Sequence, residues 1–303
     1  MKSDFIWMDG ELIPYEQATV HFITPTLHYG IGVFEGIRCY QTPQGPAIFR
    51  LTEHLKRFLE SIHILGINLP YSVEDMRHAV HETIRANNFK ECYIRPLMYM
   101  QGPLTLNTDN SQARLGIATW EWGQFLGEFT QKTSIHLMVS SFTRLHPNIN
   151  LTKAKVSGNY VNSMLVKTLA LRSGYDEAVI LDPEGFVAEC TGENIFVLRK
   201  GILYTPPLAI VLEGITRASI ISLASDIGLQ VKEEMLTRDE LYIADEVFIC
   251  GTAAEIVGAG KIDHRSIGLG GIGPITQTLQ QAYHDNTHGT GIHSGEWLDY
   301  LNK

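Results

Sequence analysis

Cysteine is scarce in this 303-residue sequence, and its four cysteines stand far apart. Cys39, Cys92, Cys190 and Cys250 form no CxxC pair, which argues against a structural zinc site and against a dithiol redox pair. Four thiols in a chain of this length are also too few for a disulfide framework. We therefore expect four buried, reduced cysteines in a cytosolic protein.

Positive charge and long apolar runs are lacking as well. The 24 Lys+Arg are outnumbered by 33 Asp+Glu, and the formal net charge is −9. A nucleic-acid groove would have to form against this field, so nucleic acid is not an expected partner. Since no run of roughly 18 apolar residues occurs, we expect no membrane span. The opening MKSDFIWMDGELIPYEQ lacks the basic start and apolar stretch of a signal peptide, which favours a cytoplasmic protein.

The remaining composition is typical of a globular protein. Hydrophobic residues make up 44% and charged residues 19%, which excludes disorder as the main state. The length favours two domains. The segment WGQFLGEFTQK, with two glycines, is the best linker candidate. We predict a small N-terminal domain over 1–125, a linker over 126–132 and a larger C-terminal domain over 133–303.

Local patterns in the first half predict a mixture of strands and helices. The dipeptide Asp9-Gly10 between FIWM and ELIPY indicates a hairpin. Helical spacing predicts helices over 52–65, with Thr52 as N-cap, and over 72–87, opened by Ser72 and Asp75. Strands are predicted over 92–100 and 115–120.

The second half predicts a strand over 133–142, a helix over 158–172, a meander of strands, a helix over 216–227 and strands near 229–235 and 245–250. Strands with a few helices, rather than a regular βαβ alternation, predict an α+β fold.

Two motifs invite a cofactor or metal interpretation that the sequence does not support. Gly268, Gly270 and Gly273 match GxGxxG, but no strand precedes them and too few residues follow for a nicotinamide-binding unit. The histidine pairs 78/81 and 284/288 have helical spacing without a completing carboxylate or cysteine pattern. We interpret these pairs as solvated helix faces.

Four other features together suit pyridoxal phosphate chemistry. KAKVSGNY places a lysine beside small residues and before a helix. LEGITR leads a glycine into a helix whose free N–H groups favour a phosphate, and GTAAE is a second turn suited to an anion. Glu189, at the end of the apolar FVAEC, could face a protonated ring nitrogen. A covalently binding lysine, a phosphate cup, a carboxylate and a tyrosine are what this cofactor requires.

The same segments, with EAVILDPEGFVAECTGENIFV, DEVFICGTAAEI, HYGIGVFEGIRCY and YIRPL, resemble the branched-chain aminotransferases of the fold-type IV pyridoxal phosphate enzymes. The resemblance covers nearly the whole chain in order. It implies a small N-terminal α/β domain and a larger C-terminal pseudo-barrel domain that binds the cofactor.

The resemblance implies a role for each matching residue. Lys155, not Lys153, would bond to the cofactor and act as the catalytic base. Tyr160 would bind the 3-oxygen and Glu189 the pyridinium nitrogen. The phosphate and the ring would be bound by Arg57, Ile215, Thr216, Thr252, Glu193 and Leu212.

The substrate side chain must be either branched and apolar or, in glutamate, acidic. The resemblance assigns it to Tyr29, Phe34, Arg38, Tyr93, Arg95 and Phe125, and the α-carboxylate to Thr252 and Ala253. Phe125 stands where the family usually has tyrosine, and Glu213 where it usually has proline. Arg38 and Arg95 could instead form structural ion pairs.

The expected reaction moves the amino group of L-leucine, L-isoleucine or L-valine to 2-oxoglutarate, and back, by a ping-pong mechanism. The expected partners are amino acids, 2-oxo acids and further copies of the chain, as a homodimer or a hexamer of dimers. Rival functions on the same fold are D-amino-acid transaminase and aminodeoxychorismate lyase. Tyr93, Arg95 and the segment VFEGIR argue against both. A nicotinamide oxidoreductase or an inactive member of the fold are more distant alternatives.

Overall fold

The computed structural model describes residues 3–121 and 134–301. Phe125 and the predicted linker 126–132 lie outside the described residues. In chain order the strands are β1 (Phe5–Met8), β2 (Glu11–Pro14), β3 (Gly32–Phe34), β4 (Ile37–Thr42), β5 (Gly45–Phe49), β6 (Cys92–Gln101), β7 (Gln112–Trp120), β8 (Ile135–Thr143), β9 (Glu177–Leu181), β10 (Val187–Glu189), β11 (Asn194–Arg199), β12 (Ile202–Thr205), β13 (Val231–Glu233), β14 (Glu246–Gly251), β15 (Glu255–Ile262), β16 (Arg265–Ser266) and β17 (Leu298–Tyr300). The α-helices are α1 (Pro25–Tyr29), α2 (Leu51–Ile64), α3 (Val73–Ala86), α4 (Tyr160–Arg172), α5 (Ile215–Asp226), α6 (Arg238–Tyr242), α7 (Pro274–Thr287) and α8 (Ser294–Trp297).

Contacts divide the described residues into two compact units. Unit 1 takes its residues from Met1–Gly123, Ala154–Asn159 and Asn286–Lys303, and unit 2 from Gln124–Lys153 and Tyr160–Asp285. The short segment that carries Lys155 therefore belongs to unit 1, although the residues on either side of it belong to unit 2.

Unit 1 is built on an eight-stranded sheet in the order β17-β5-β4-β6-β7-β1-β2, with β3 paired to β6. Helices α2 and α3 bury one face each, because their apolar residues recur at helical spacing. Phe58 of α2 and Met76 of α3 are fully buried in a cluster with Ile37 and Ile94 of the sheet. This packing fixes α2, which carries Arg57.

Unit 2 contains a nine-stranded sheet in the order β10-β9-β8-β15-β14-β11-β12-β13, with β16 paired to β15. Strand β8 runs parallel to both β9 and β15, whereas β14 is antiparallel to β11 and β15. Its core is rich in valine and isoleucine from these strands, including Ile135, Val179, Ile195 and Ile249. The prediction of an α+β fold is confirmed.

Most local predictions match the elements within a few residues. Asp9 and Gly10 both have positive φ, 51° and 107°, as a type I′ hairpin turn requires. Ser72 and Asp75 form a capping box at the start of α3. The prediction that Thr52 caps the helix over 52–65 is wrong. That helix is α2, which begins at Leu51, and its N-cap is Arg50, in the left-handed conformation with φ 51°.

The four cysteines are buried, as predicted. The interpretation of His81 as a solvated side chain is wrong, since His81 is buried and its Nε2 lies 2.8 Å from Asp299. Within residues 3–121 and 134–301, no helix is long and apolar enough to cross a membrane.

Candidate active site

The backbone of Lys155 is held from two sides within unit 1. Its N–H donates to the Ser61 hydroxyl of α2 at 3.1 Å, and its carbonyl accepts from the N–H of Phe34 at 3.2 Å. The next residue, Val156, forms a bridge with Val33 of β3. The Lys155 ammonium lies 5.0 Å from the centre of the Phe34 ring. The chain position of this lysine is therefore fixed by the helix and strand that contact it.

A close approach of two glycines keeps this segment against the start of β3. The Gly158 N–H donates to the Gly30 carbonyl at 3.0 Å. A Cβ at Gly30 would lie 3.0 Å from the Gly158 Cα, and φ at Gly30 is 73°. Only glycine suits Gly30 on both counts.

Arg57 is oriented by a buried carboxylate. Its Nε and one terminal nitrogen donate to the two oxygens of Glu35 at 2.7 and 2.9 Å. The same carboxylate lies 2.7 Å from His54 Nδ1, and Glu35 is fully buried. Burial opposes ionisation of Glu35, yet Arg57 and His54 together hold its pKa well below its usual range. The result is a bidentate ion pair on the helix that also contacts Lys155.

A cluster of rings surrounds the guanidinium of Arg95 on β6. Its central carbon lies 4.7 Å from the Phe34 ring centre, 5.3 Å from that of Tyr93 and 5.8 Å from that of Trp120. Arg95 also donates to the Tyr93 hydroxyl at 3.2 Å. This arrangement combines apolar aromatic surface with a positive charge.

Gly36 makes room for this cluster. A Cβ at Gly36 would lie 2.0 Å from the Tyr93 hydroxyl oxygen, so any other residue would displace the tyrosine. The sequence therefore places glycine next to Glu35 for a steric reason.

The other predicted substrate residues of unit 1 lie in different surroundings. Arg38, opposite Tyr93 in the β4–β6 pairing, forms an ion pair with Glu91 at 3.1 Å and lies 4.5 Å from the centre of the Tyr40 ring. Tyr29, the last residue of α1, is 49% exposed.

In unit 2, Glu189 is held at the end of β10. One of its oxygens accepts the Leu212 N–H at 3.0 Å, and the other forms an ion pair with Arg144. Arg144 also donates to the carbonyls of Ile210 at 3.0 Å and Thr152 at 3.4 Å. A single arginine thus links Glu189 to the loop before Leu212 and to the segment before Lys153.

Helix α5 offers an N-terminus suited to an anion. Its N-cap, Gly214, supplies no side-chain hydrogen bond, and Ile215 and Thr216 are the first helical residues. A Cβ at Gly214 would lie 1.9 Å from the Asn194 Oδ1, so the chain can approach here only as glycine. The first N–H groups of a helix and its dipole favour a phosphate.

Glu193 and the turn between β14 and β15 are neighbours. A Cβ at Gly251 would lie 3.6 Å from Cγ of Glu193, and Thr252 and Ala253 follow Gly251 directly. Burial, and next the negative charge of Glu177, raise the pKa of the Glu193 carboxyl to about 7. The turn therefore lies beside a carboxyl group that holds a proton more tightly than usual.

Tyr160 is the first residue of α4. Lys153, the rival of Lys155 in the sequence, forms an ion pair with Glu213 at 2.7 Å, and both side chains are exposed. The glutamate that replaces the common proline thus pairs with Lys153.

Known proteins resemble this chain in sequence and in fold. The pattern of the amino-transferase class IV family matches residues 32–262. The branched-chain-amino-acid aminotransferase of Pseudomonas aeruginosa is 47% identical, over 98% of this chain and 97% of its own. The crystal structure of the T.th. branched-chain amino acid aminotransferase with pyridoxamine 5'-phosphate superimposes with a TM-score of 0.96 at 45% identity, over 100% of both chains. The same protein complexed with N-(5'-phosphopyridoxyl)-L-glutamate gives a TM-score of 0.94 at 44% identity, again over 100% of both chains.

The chain therefore belongs to the amino-transferase class IV family. Within that family, it is similar over its whole length to branched-chain-amino-acid aminotransferases. The predicted membership of the fold-type IV enzymes is confirmed.

Four residues that contact the candidate site residues are not among those predicted from the sequence: Glu35, Ser61, Trp120 and Arg144. Glu35 lies inside the segment VFEGIR, but its charge gives no sign that it faces Arg57. Ser61 lies one helical turn after Arg57, and this spacing could have placed both on one face of α2. Trp120 and Arg144 meet their partners only through tertiary contacts, so no local pattern indicates them.

Proposed function

We propose that this chain is a pyridoxal 5'-phosphate-dependent transaminase that moves the amino group of L-leucine, L-isoleucine or L-valine to 2-oxoglutarate, and back. The observation that carries this function is the chain-long similarity to branched-chain-amino-acid aminotransferases. Lys155 is the residue proposed to carry out the chemistry. Its backbone N–H and carbonyl are both hydrogen-bonded, which fixes its position.

The residues present fit the cofactor. Arg57 and the N-terminus of α5 are sources of N–H donors for a phosphate, and the α5 cap uses no side chain of its own. Glu189 is a carboxylate held at a strand end, the group needed to face a ring nitrogen. Among relatives, solved structures contain pyridoxamine 5'-phosphate and a phosphopyridoxyl adduct. The cofactor prediction is confirmed.

When bound, the cofactor supplies the carbonyl carbon that takes up the amino group and a ring that delocalises the electrons left at the substrate Cα. In this proposal Lys155 would be the residue that holds the cofactor covalently, and its amine would also serve as the base that moves a proton from and to the substrate Cα. Glu189 holds the proton on the ring nitrogen, and Tyr160 binds the 3-oxygen.

The remaining cofactor residues of the proposal bind the phosphate and flank the ring. Ile215, Thr216 and Thr252 supply backbone and hydroxyl donors to the phosphate, together with Arg57. Glu193 and Leu212 line the ring. The hydrogen bond that the Leu212 N–H donates to Glu189 holds the loop around Leu212 in place.

For the substrate, the ring cluster around Arg95 supports a pocket that accepts two kinds of side chain. Phe34, Tyr93 and Trp120 offer apolar surface to a branched side chain, and Arg95 offers a cation to the glutamate side chain. Arg38 is already paired with Glu91. We therefore favour Arg95 over Arg38 for the distal carboxylate, and Thr252 and Ala253 for the α-carboxylate.

The proposal includes self-association and a cytoplasmic location. Large apolar side chains that are close together in the sequence are exposed in unit 1, where Phe22 is 74% and Leu27 60% exposed. Tyr29 lies in the same stretch. Such side chains are often covered at protein interfaces when they form a contiguous patch. This supports a homodimer, or a hexamer of dimers, in which the stretch is covered.

Steady-state assays with 2-oxoglutarate as acceptor test the function. We expect turnover with L-leucine, L-isoleucine and L-valine and little with D-alanine. A preference for D-alanine would favour the D-amino-acid transaminase. Release of pyruvate and 4-aminobenzoate from aminodeoxychorismate would favour the lyase.

A further inference from the structure

The ion pair between Glu35 and Arg57 is a deeply buried cluster of charge beside the part of α2 that binds the Lys155 backbone. Glu35 is 0% exposed, His54 is 1% exposed and the Arg57 side chain is 12% exposed. A buried carboxylate of this kind costs free energy unless it is paired and hydrogen-bonded. Glu35 meets that condition through both of its oxygens, which suggests a function beyond packing.

The geometry fixes the guanidinium in one plane. Because Nε and a terminal nitrogen of Arg57 donate to separate oxygens of Glu35, the planar group cannot rotate about its long axis without losing both bonds. His54 lies one turn before Arg57 on α2, and its ring restrains the second Glu35 oxygen at 2.7 Å. Glu35 and His54 therefore set the direction in which the rest of the Arg57 guanidinium points. Neither of the two has been given a role in the proposed function.

The same helix face also holds the lysine. Ser61 donates to the Arg57 carbonyl at 2.8 Å and accepts the Lys155 N–H at 3.1 Å. The backbone N–H of Phe34, the residue before Glu35, donates a hydrogen bond to the Lys155 carbonyl. The orientation of Arg57 and the position of Lys155 therefore depend on neighbouring parts of the chain: α2, and the consecutive residues Phe34 and Glu35 at the end of β3.

We propose that Glu35, restrained by His54, is the positioning residue that aims Arg57 at the cofactor phosphate. This inference rests on the proposed function, since it takes the phosphate of pyridoxal 5'-phosphate as the ligand of Arg57. Glu35 adds a negative charge near a phosphate, so it weakens the field of Arg57. Its benefit is the preorganisation of the donor, which lowers the entropy lost on binding.

The test compares two ligands that differ only in the phosphate. Dissociation constants of the apoprotein for pyridoxal 5'-phosphate and for pyridoxal are measured by titration calorimetry. For Glu35→Gln we expect about a 10–100-fold loss of affinity for pyridoxal 5'-phosphate, the range typical when the partner of a ligand-binding group is lost. The affinity for pyridoxal should change less than about threefold, because it has no phosphate for Arg57 to bind.

Three further variants sharpen the test. His54→Gln keeps the ion pair between Glu35 and Arg57 but removes the imidazole that restrains Glu35. We expect a smaller loss of affinity for pyridoxal 5'-phosphate relative to pyridoxal. This variant also keeps the test available if Glu35→Gln fails to fold. The double variant Arg57→Ala, Glu35→Gln should show the same ratio of the two affinities as the single variant Arg57→Ala. Asp299→Asn is the matched control: it breaks a second Arg–carboxylate–His trio of unit 1, with Arg77 and His81 at 2.6 and 2.8 Å from the carboxylate. Its ratio should equal that of the wild type.

The outcomes separate the two hypotheses. If wild-type apoprotein binds neither ligand, the proposed function fails. If it prefers the phosphorylated ligand but Glu35→Gln binds that ligand as tightly or more tightly, only the role of Glu35 is refuted. Equal losses for both ligands, or the same change of ratio in Asp299→Asn, would assign Glu35 a merely structural role and also overturn the inference.

Discussion

Arg144 and Glu189 form an ion pair in unit 2, and the same guanidinium binds the carbonyls of Ile210 and Thr152. Three segments that carry proposed cofactor residues therefore depend on one side chain. The planar fork of arginine can satisfy three acceptors at once, which a lysine ammonium cannot do with the same geometry.

We predict that Arg144→Gln lowers kcat about tenfold or more, because the Glu189 carboxylate loses the charge-assisted hydrogen bond that fixes its position. Arg144→Lys should recover only part of the activity. The pH dependence of the absorbance of the cofactor-loaded protein should shift in Arg144→Gln, since Glu189 is proposed to face the ring nitrogen. Unchanged kcat and an unchanged absorbance profile would show that Glu189 does not need Arg144.

The two candidate arginines of the substrate pocket can be separated by kinetics. Arg95→Gln should raise KM for 2-oxoglutarate about 10–100-fold, the effect of losing one charged hydrogen bond, and leave KM for L-leucine nearly unchanged. Arg38→Gln is the matched control, since Arg38 already pairs with Glu91. A larger effect of Arg38→Gln on KM for 2-oxoglutarate would contradict the assignment.

The starts of α2 and α3 predict different losses of stability for similar substitutions. Ser72→Ala should lower the free energy of unfolding by about 1 kcal/mol, because it removes the capping box of α3. Thr52→Ala should change it by less than about 0.5 kcal/mol, because Thr52 lies inside α2 and is exposed. Urea unfolding of both variants measures the difference. Equal costs would mean that Thr52 has the capping role first expected of it.

The buried Glu193 predicts a pH dependence of stability. Burial and Glu177 raise its pKa to about 7 from an ordinary value of 4.5, so the folded chain binds more protons than the unfolded chain between these values. The free energy of unfolding should therefore fall as pH rises from about 4.5 to about 7, by roughly 3 kcal/mol from this group. Above that range its contribution is constant.

The apoprotein of Glu193→Gln should lose this slope, since glutamine does not titrate. Lys167, which pairs with Glu177 at 2.6 Å, remains in place in the variant and keeps the neighbouring charge balanced. Denaturant unfolding at a series of pH values between about 4.5 and about 7.5 provides the measurement. A slope equal to that of the wild type would place the titration elsewhere.

The sequence predicted features whose causes are local. Ser72 and Asp75 lie within one turn of each other, and Asp9-Gly10 needs only its own backbone angles, so both were recognisable. Thr52 was assigned wrongly because the left-handed conformation of Arg50, which sets the start of α2, leaves no pattern in the residue types.

Features that depend on distant contacts could not be predicted. Strand β17 pairs with β5, and β8 lies parallel to β15, although long stretches of sequence separate the members of each pair. The same holds for Glu35 with Arg57. Local sequence does not distinguish Lys153 from Lys155, and only the resemblance favoured Lys155. In the structure, Lys153 pairs with Glu213 while the backbone of Lys155 is hydrogen-bonded to Ser61.

The most direct test of the proposed role of Lys155 is borohydride reduction of the cofactor-loaded protein followed by peptide mass mapping. We expect a phosphopyridoxyl group on Lys155, the same label in Lys153→Ala, and loss of both label and turnover in Lys155→Ala. A label on Lys153, or on any lysine other than Lys155, would contradict it.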